Sequence, residues 1–228
     1  MKRSATKRSS RERPAAAPSI FVLAGTNGGG KSSIGREVFV ERGVNPFDPD
    51  EVARRLRSLD QSLSSEASNA AAWQEGVRLL RRAIAERLNF AFETTLGGNT
   101  IASLLESAAL SGIRVRIWYV GLRSPDLHIQ RVRARVAKGG HDISERRIRE
   151  RYNQSRLNLI RLLPVLAELR LYDNSYEADP GLDLLPAPKL ILHLVNRRIV
   201  ARINLRNAPG WTKPILMEAL RLDRAQGK

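Results

Sequence analysis

The sequence has no cysteine, only 5% aromatic residues, and far fewer acids than bases, 23 against 39. Without cysteine there is no disulfide framework and no thiolate metal site, and a cytoplasmic location is the default expectation. Long apolar runs are missing too: no stretch approaches the roughly 18 residues needed to cross a bilayer, so no membrane partner is expected. The N-terminus lacks the apolar centre of a secretion signal. Scarce aromatics weigh against a surface that stacks successive bases of a single strand. What remains, at 228 residues and 42% hydrophobic, suffices for one core.

The missing acids leave a formal net charge of +16. Lys2, Arg3, Lys7, Arg8, Arg11 and Arg13 crowd the start of the chain against Glu12, within a Ser/Ala/Pro-rich stretch that cannot build a core. Residues 1–18 therefore read as a basic disordered tail. Removing it leaves about +11 on the rest, which calls for a polyanionic partner: nucleotide, nucleic acid or an acidic protein.

The chain is organised around Ile20 to Ser33. A short apolar run, Ile20 to Ala24, ends in Gly25-Thr26-Asn27-Gly28-Gly29-Gly30-Lys31-Ser32-Ser33, which satisfies G-x-x-x-x-G-K-S/T after a strand and before a helix. A loop that turns its N–H groups onto a phosphate needs the positive φ and close approach that glycine allows. The following helix points its positive end at the same anion. Lys31 would bridge the β- and γ-phosphates of ATP or GTP, and the Ser32 hydroxyl would ligate Mg²⁺.

After the loop, residues 31–42 read as a helix ended by Gly43, and 44–47 as a short strand. Asp48-Pro49-Asp50-Glu51 opens the next helix, with Asp48 as N-cap, Pro49 at the first position and Glu51 closing a capping box. Capping leaves Asp50 free at the C-terminal end of a strand, where open α/β sheets put their ligands. Ser64 to Asn89 has helical spacing, with Trp73 assigned to the core. Phe90 to Phe92 is a strand ending in Glu93, Thr94 and Thr95, a carboxylate and two hydroxyls that form a candidate substrate site. Gly97 and Gly98 then precede a helix over Asn99 to Leu110.

Ile113 to Leu122 alternates as a strand, and its basic residues place it towards a sheet edge. It ends without the acid that a motor or GTPase would offer Mg²⁺, which favours a small kinase with Asp50 or Glu93 in that part. Ser124-Pro125-Asp126 opens a helix carrying Arg131 and Arg135, Gly139-Gly140-His141-Asp142 breaks it, and a second helix runs from about Ser144 to Leu169, kinked at Pro164. This arginine-rich pair reads as a lid that neutralises the transferring phosphoryl and excludes water. Leu171 to Asn174 is the last parallel strand. A Pro/Asp-rich loop, a hairpin over Lys189 to Leu194 and Arg198 to Ile203, and a helix over Trp211 to Leu222 complete the chain.

The expected fold is α/β, with a P-loop NTPase or kinase-type parallel sheet sandwiched by helices, a helical lid, and a C-terminal hairpin plus helix. Three segments are expected: the tail at 1–18, a P-loop kinase core with its lid at 19–176, and the C-terminal loop, hairpin and helix at 177–228.

Residues 24–33, Phe47 to Ala53, Phe92 to Leu96, Arg131 to Asp142, Arg151-Tyr152 and Tyr172-Asp173-Asn174-Ser175 together resemble the zeta-toxin family of P-loop kinases, especially its compact chromosomal members. The resemblance covers most of residues 19–176. It implies transfer of a phosphoryl group from ATP or GTP to a sugar hydroxyl of a nucleotide sugar, UDP-N-acetylglucosamine, by the toxin of a toxin-antitoxin pair. It makes Asp50 the general base and sets Glu93 and Thr94 on the acceptor, while the capping argument leaves Asp48 as a rival base. The resemblance makes Arg131 the first transition-state arginine and leaves Arg135, Arg151 and His141 as candidates for the second. An acidic antitoxin is the implied protein partner. The competing readings are a nucleic-acid enzyme such as a polynucleotide 5′-hydroxyl kinase, favoured by the basic excess and disfavoured by the few aromatics, or a kinase of another nucleotide.

Overall fold

A computed structural model describes residues 17–40, 44–140, 142–176 and 187–227. Six strands form one sheet in the order β2-β1-β3-β4-β5-β6. β1 (Ser19–Ala24), β2 (Phe90–Thr94), β3 (Arg114–Gly121) and β4 (Glu168–Asp173) are mutually parallel. β5 (Lys189–Val195) and β6 (Arg198–Arg202) continue the same sheet antiparallel, so the expected hairpin extends the sheet through β4. Asn196 and Arg197, both at positive φ, make its tight turn. Around the sheet lie α1 (Ser32–Val40), α2 (Pro49–Leu59), α3 (Ser65–Ala85), α4 (Asn99–Leu110), α5 (Pro125–Val136), α6 (Glu145–Leu162) and α7 (Lys213–Ala225). Among the described residues no helix is long and apolar enough to cross a membrane.

The chain leaves β1 towards β2 and then crosses to β3 on the other side. Strand order therefore reverses at β1, and the crevice at the carboxyl ends of β1 and β3 is where such sheets hold ligands. The main core lies between the sheet and α3, α4, α6 and α7. A smaller one packs Ile34, Val38 and Phe39 onto Leu23, Trp118 and Val120. The lid helices share a third cluster, Ile129, Val132 and Ile148.

Several expectations are corrected. β3 is interior, between β1 and β4, because Arg116, which made it look like an edge, lies opposite Glu168 and bonds it at 2.8 Å. Glu168 also accepts from Arg170 and His193, each at 3.0 Å, so a largely buried carboxylate neutralises the basic face. The second lid helix stops at Leu162: Pro164 sits in a 3-10 turn over Leu163–Val165 that ends the helix instead of kinking it, and β4 begins at Glu168. The strand expected at 44–47 is a single bridge, Phe47 to Phe92. Helix α3 ends at Ala85, and Arg87 at φ 52 turns the chain into β2. Trp73 is 49% exposed, outside the core. The 31–42 helix is described as far as Val40, and Gly43, His141 and most of the tail lie outside the described residues.

Candidate active site

The phosphate loop follows β1. Gly25, at φ +140, passes so close to β3 that a Cβ would lie 2.1 Å from the Val120 carbonyl oxygen. Gly30, at φ +84, meets Asn174 in the same way, with a Cβ falling 2.2 Å from its Nδ2. The loop is closed by Gly29 N donating to Thr26 O at 3.0 Å, and Gly25 N donates to Thr94 O on β2 at 3.2 Å. Lys31 Nζ donates back across the loop to Gly25 O at 3.1 Å. Ser32 and Ser33 are exposed in the first turn of α1, and Thr26 is buried.

Asn27 is 5% exposed and joins the loop to both lid helices. Its carbonyl accepts from His128 Nδ1 of α5, and its side-chain oxygen accepts from Arg151 Nη1 of α6, both at 2.8 Å. A carbonyl has no proton to give, so the imidazole must donate from Nδ1. Burial drives the His128 pKa down to about 4; the bond to Asn27 opposes this, and the Lys31, Arg131 and Arg156 charges reinforce it. The buried ring is thus a neutral, fixed donor. Nothing in the spacing of the sequence identified Asn27 as this junction or His128 as its partner, since the contact spans 101 residues.

Helix α2 brings the next carboxylates. Asp48 is its N-cap, accepting from Asp50 N at 2.9 Å, and Asp50 is exposed on the first turn. Glu93, at the end of β2, has its pKa raised. Burial is the leading cause, the Lys31 charge opposes it, and the Asp48 and Asp50 charges add to it. These four groups therefore share one field. Thr94 and Thr95 first serve their own turn, their hydroxyls accepting from Leu96 N at 3.0 Å and Gly97 N at 3.4 Å. Burial also holds Arg151 below its ordinary value, with Arg147 adding to this and Asp50 opposing it.

Two clefts meet here. The first, about 1260 Å³, is lined by Gly28, Gly30, Lys31, Ser32 and Ser33 on one side and by Arg131, Arg135 and Lys138 of the lid on the other. The second, about 800 Å³, runs past Glu93, Thr94 and Thr95, the exposed Trp73 of α3, and Arg146, Arg147 and Arg151 of α6. Asn27, Lys31, Asp48, Asp50, Asn69 and Glu93 line both. The structure thus sets Arg131 and Arg135 in the first cleft, Thr94 and Thr95 in the second, and Lys31, Asp50 and Glu93 where the two join.

The donor set suits a triphosphate and its cation. A glycine cradle that any Cβ would fill leaves backbone and a lysine facing the first cleft. Among the described residues no cluster of three or more His, Cys, Asp or Glu is placed to hold a metal on its own. The oxygens at hand, from Ser32, Asp48, Asp50 and Glu93, are of the hard type that Mg²⁺ takes alongside phosphate and water.

A family model described as zeta toxin matches residues 2–173. An uncharacterized protein of Haemophilus influenzae is 31% identical over 129 residues, covering 56% of this chain and 88% of that protein. A solved structure from the PezAT chromosomal toxin-antitoxin system of Streptococcus pneumoniae aligns with a TM-score of 0.53 at 18% identity, over 71% of this chain and 70% of that one. The AvrRxo1-ORF1:-ORF2 structure with ATP gives a TM-score of 0.59 at 12% identity, over 92% of this chain and 64% of that one. At these identities the solved structures speak to the fold alone.

Proposed function

The chain belongs to the zeta toxin family of P-loop kinases, and on that premise we propose that it transfers the γ-phosphoryl of ATP or GTP to a hydroxyl of a nucleotide sugar of the UDP-N-acetylglucosamine type. The single observation that carries this reading is the junction of the two clefts at Lys31, Asp50 and Glu93. A donor in the first and an alcohol in the second would meet across those side chains.

In this reading Lys31 turns from Gly25 O to the β- and γ-phosphates and stabilises charge as it shifts to the leaving oxygen. Asp50 orients the acceptor hydroxyl and takes its proton. Glu93 holds the acceptor beside it, its pKa raised first by burial and this opposed by the Lys31 charge. Arg131, from the first cleft, and Arg151, from the second, flank the transfer. Arg151 is the better candidate for the second arginine because its Nη1 bond to Asn27 already ties it to the loop, while Arg135 faces the loop from the first cleft as the alternative. Ser32 would hold Mg²⁺ beside the phosphates, and the ion would supply charge neutralisation and alignment when bound.

An acidic antitoxin protein is the proposed macromolecular partner, on the strength of the +16 charge. The test is incubation with γ-labelled ATP and, separately, UDP-N-acetylglucosamine, NAD and a 5′-hydroxyl oligonucleotide. Label on the nucleotide sugar is expected; label only on the oligonucleotide would replace this reading with that of a polynucleotide kinase.

A further inference from the structure

The Tyr-Asp-Asn-Ser run at residues 172–175 has no part in the chemistry above, yet it touches both walls of the first cleft. Asn174 Nδ2 donates to Gly29 O at 3.0 Å, in the centre of the phosphate loop. Asn174 N donates to Gly121 O, also at 3.0 Å. Two residues on, the Tyr176 carbonyl accepts from Arg131 Nη2 at 3.0 Å. Residues 173–176 therefore form a strap between the loop that would hold the phosphates and the lid arginine that would face them.

One of the contacts that fix the strap comes from well beyond residue 173, where the family match stops. Trp211, in the 3-10 turn before α7 and 5% exposed, donates Nε1–H to Asp173 Oδ1 at 2.9 Å. The same oxygen accepts the Ser175 hydroxyl proton, and Ser175 Oγ accepts from Arg123 N at 2.7 Å. The indole also fills the space over Gly121, where a Cβ would lie 2.4 Å from the ring. Asp173 is 3% exposed, so each donor removed from it leaves a buried carboxylate less well solvated and the strap free to shift towards water.

We propose that Trp211 is a positioning residue for nucleotide binding: through Asp173 and Ser175 it holds Asn174 on the phosphate loop and Tyr176 on Arg131. The inference rests on reading residues 25–33 as the nucleotide site. Asn174 then keeps the Gly29 peptide oriented with its carbonyl away from the anion, and the C-terminal part of the chain belongs functionally to the kinase core.

The test is calorimetric titration of the full chain with Mg²⁺-ATP, with melting temperature measured in parallel. Asn174→Ala is expected to weaken ATP binding about fivefold to tenfold, the size of one well-placed hydrogen bond. Trp211→Phe removes the Nε1 donor together with the far edge of the indole, whose atoms are the ones over Gly121, so a lower melting temperature is expected with it; Ser175→Ala removes the hydroxyl bridge and leaves the indole in place. Both are expected to weaken ATP in the same range. Trp211→Phe combined with Asn174→Ala should lose clearly less than the sum of the two single losses, because Trp211 acts in part through Asn174. A lowered melting temperature with parental ATP affinity in Trp211→Phe and Ser175→Ala would reduce Trp211 to a packing residue and overturn the inference, as would fully additive losses in the double variant. Failure of the unsubstituted protein to bind ATP would instead overturn the nucleotide reading and this inference with it.

Discussion

Arg151 reaches back across 124 residues to place Nη1 2.8 Å from the side-chain oxygen of Asn27, tying the second lid helix to the phosphate loop. His128 secures the main chain of the same residue from the first lid helix. Asn27 thus joins the loop to both lid helices, and the placement of Arg151 depends on it.

Asn27→Ala should therefore lower kcat by about tenfold to a hundredfold, the scale of a misplaced charged group, while ATP binding changes little. Arg151→Lys should give a loss of similar size, since a lysine cannot reproduce the planar fork of donors. Steady-state kinetics of the two single variants and the double variant, expected to be strongly non-additive, check this.

Lys31→Ala should abolish transfer and weaken ATP. Asp50→Ala should lower kcat about a hundredfold or more as the proposed general base is lost, with ATP affinity retained. Asp48→Ala should behave differently, costing about 1 kcal/mol of stability through the lost N-cap. An active Asp50→Ala beside an inactive Asp48→Ala would move the base to Asp48.

The buried His128 makes stability depend on pH. Its folded pKa, about 4, lies below the ordinary 6.5, so between those values the unfolded chain binds a proton that the native state refuses. Its contribution is fully present above pH 6.5 and is lost as pH falls towards 4, by about 2–3 kcal/mol. Urea unfolding of the protein and of His128→Asn, whose amide can keep the donor to Asn27, should differ in slope between pH 6.5 and 5.

Glu168 works at lower pH. Burial alone would raise its pKa, but Arg170, the bond from His193 and Arg116 outweigh this and hold it below 4.5. The stability it supplies is present above pH 4.5 and is lost as pH falls through the depressed value. Glu168→Gln leaves Arg116 and Arg170 without a counter-charge and should cost about 3 kcal/mol at neutral pH, measured by denaturant midpoint.

Features set by local rules were legible in the sequence. The loop at 25–32 could be read because glycine, lysine and serine answer demands made within eight residues, and the helix over Asn99–Leu110 matches its expected bounds because nothing distant alters it. Features set by distant partners were not. Arg116 marked β3 as an edge because its partner, Glu168, lies 52 residues away. Trp73 fitted a buried stripe by spacing alone, but α2 packs on α3 so as to leave the indole at a cleft. The sequence pointed to Lys31, Asp50, Glu93 and Arg131 separately; that the first three line one junction depends on the β1 crossover, and Asn27, His128 and Asn174 acquire their contacts only when the sheet is assembled.

The shared wall between the two clefts has a consequence for chemical probes. A molecule joining a nucleoside polyphosphate to a sugar alcohol through a short bridge past Lys31 and Asp50 would occupy both volumes at once, and linkage would give it an affinity well above that of either half. On the proposed reading, such a bisubstrate mimic would select for enzymes whose two clefts share these lining residues, and pass over P-loop proteins with a nucleotide pocket alone.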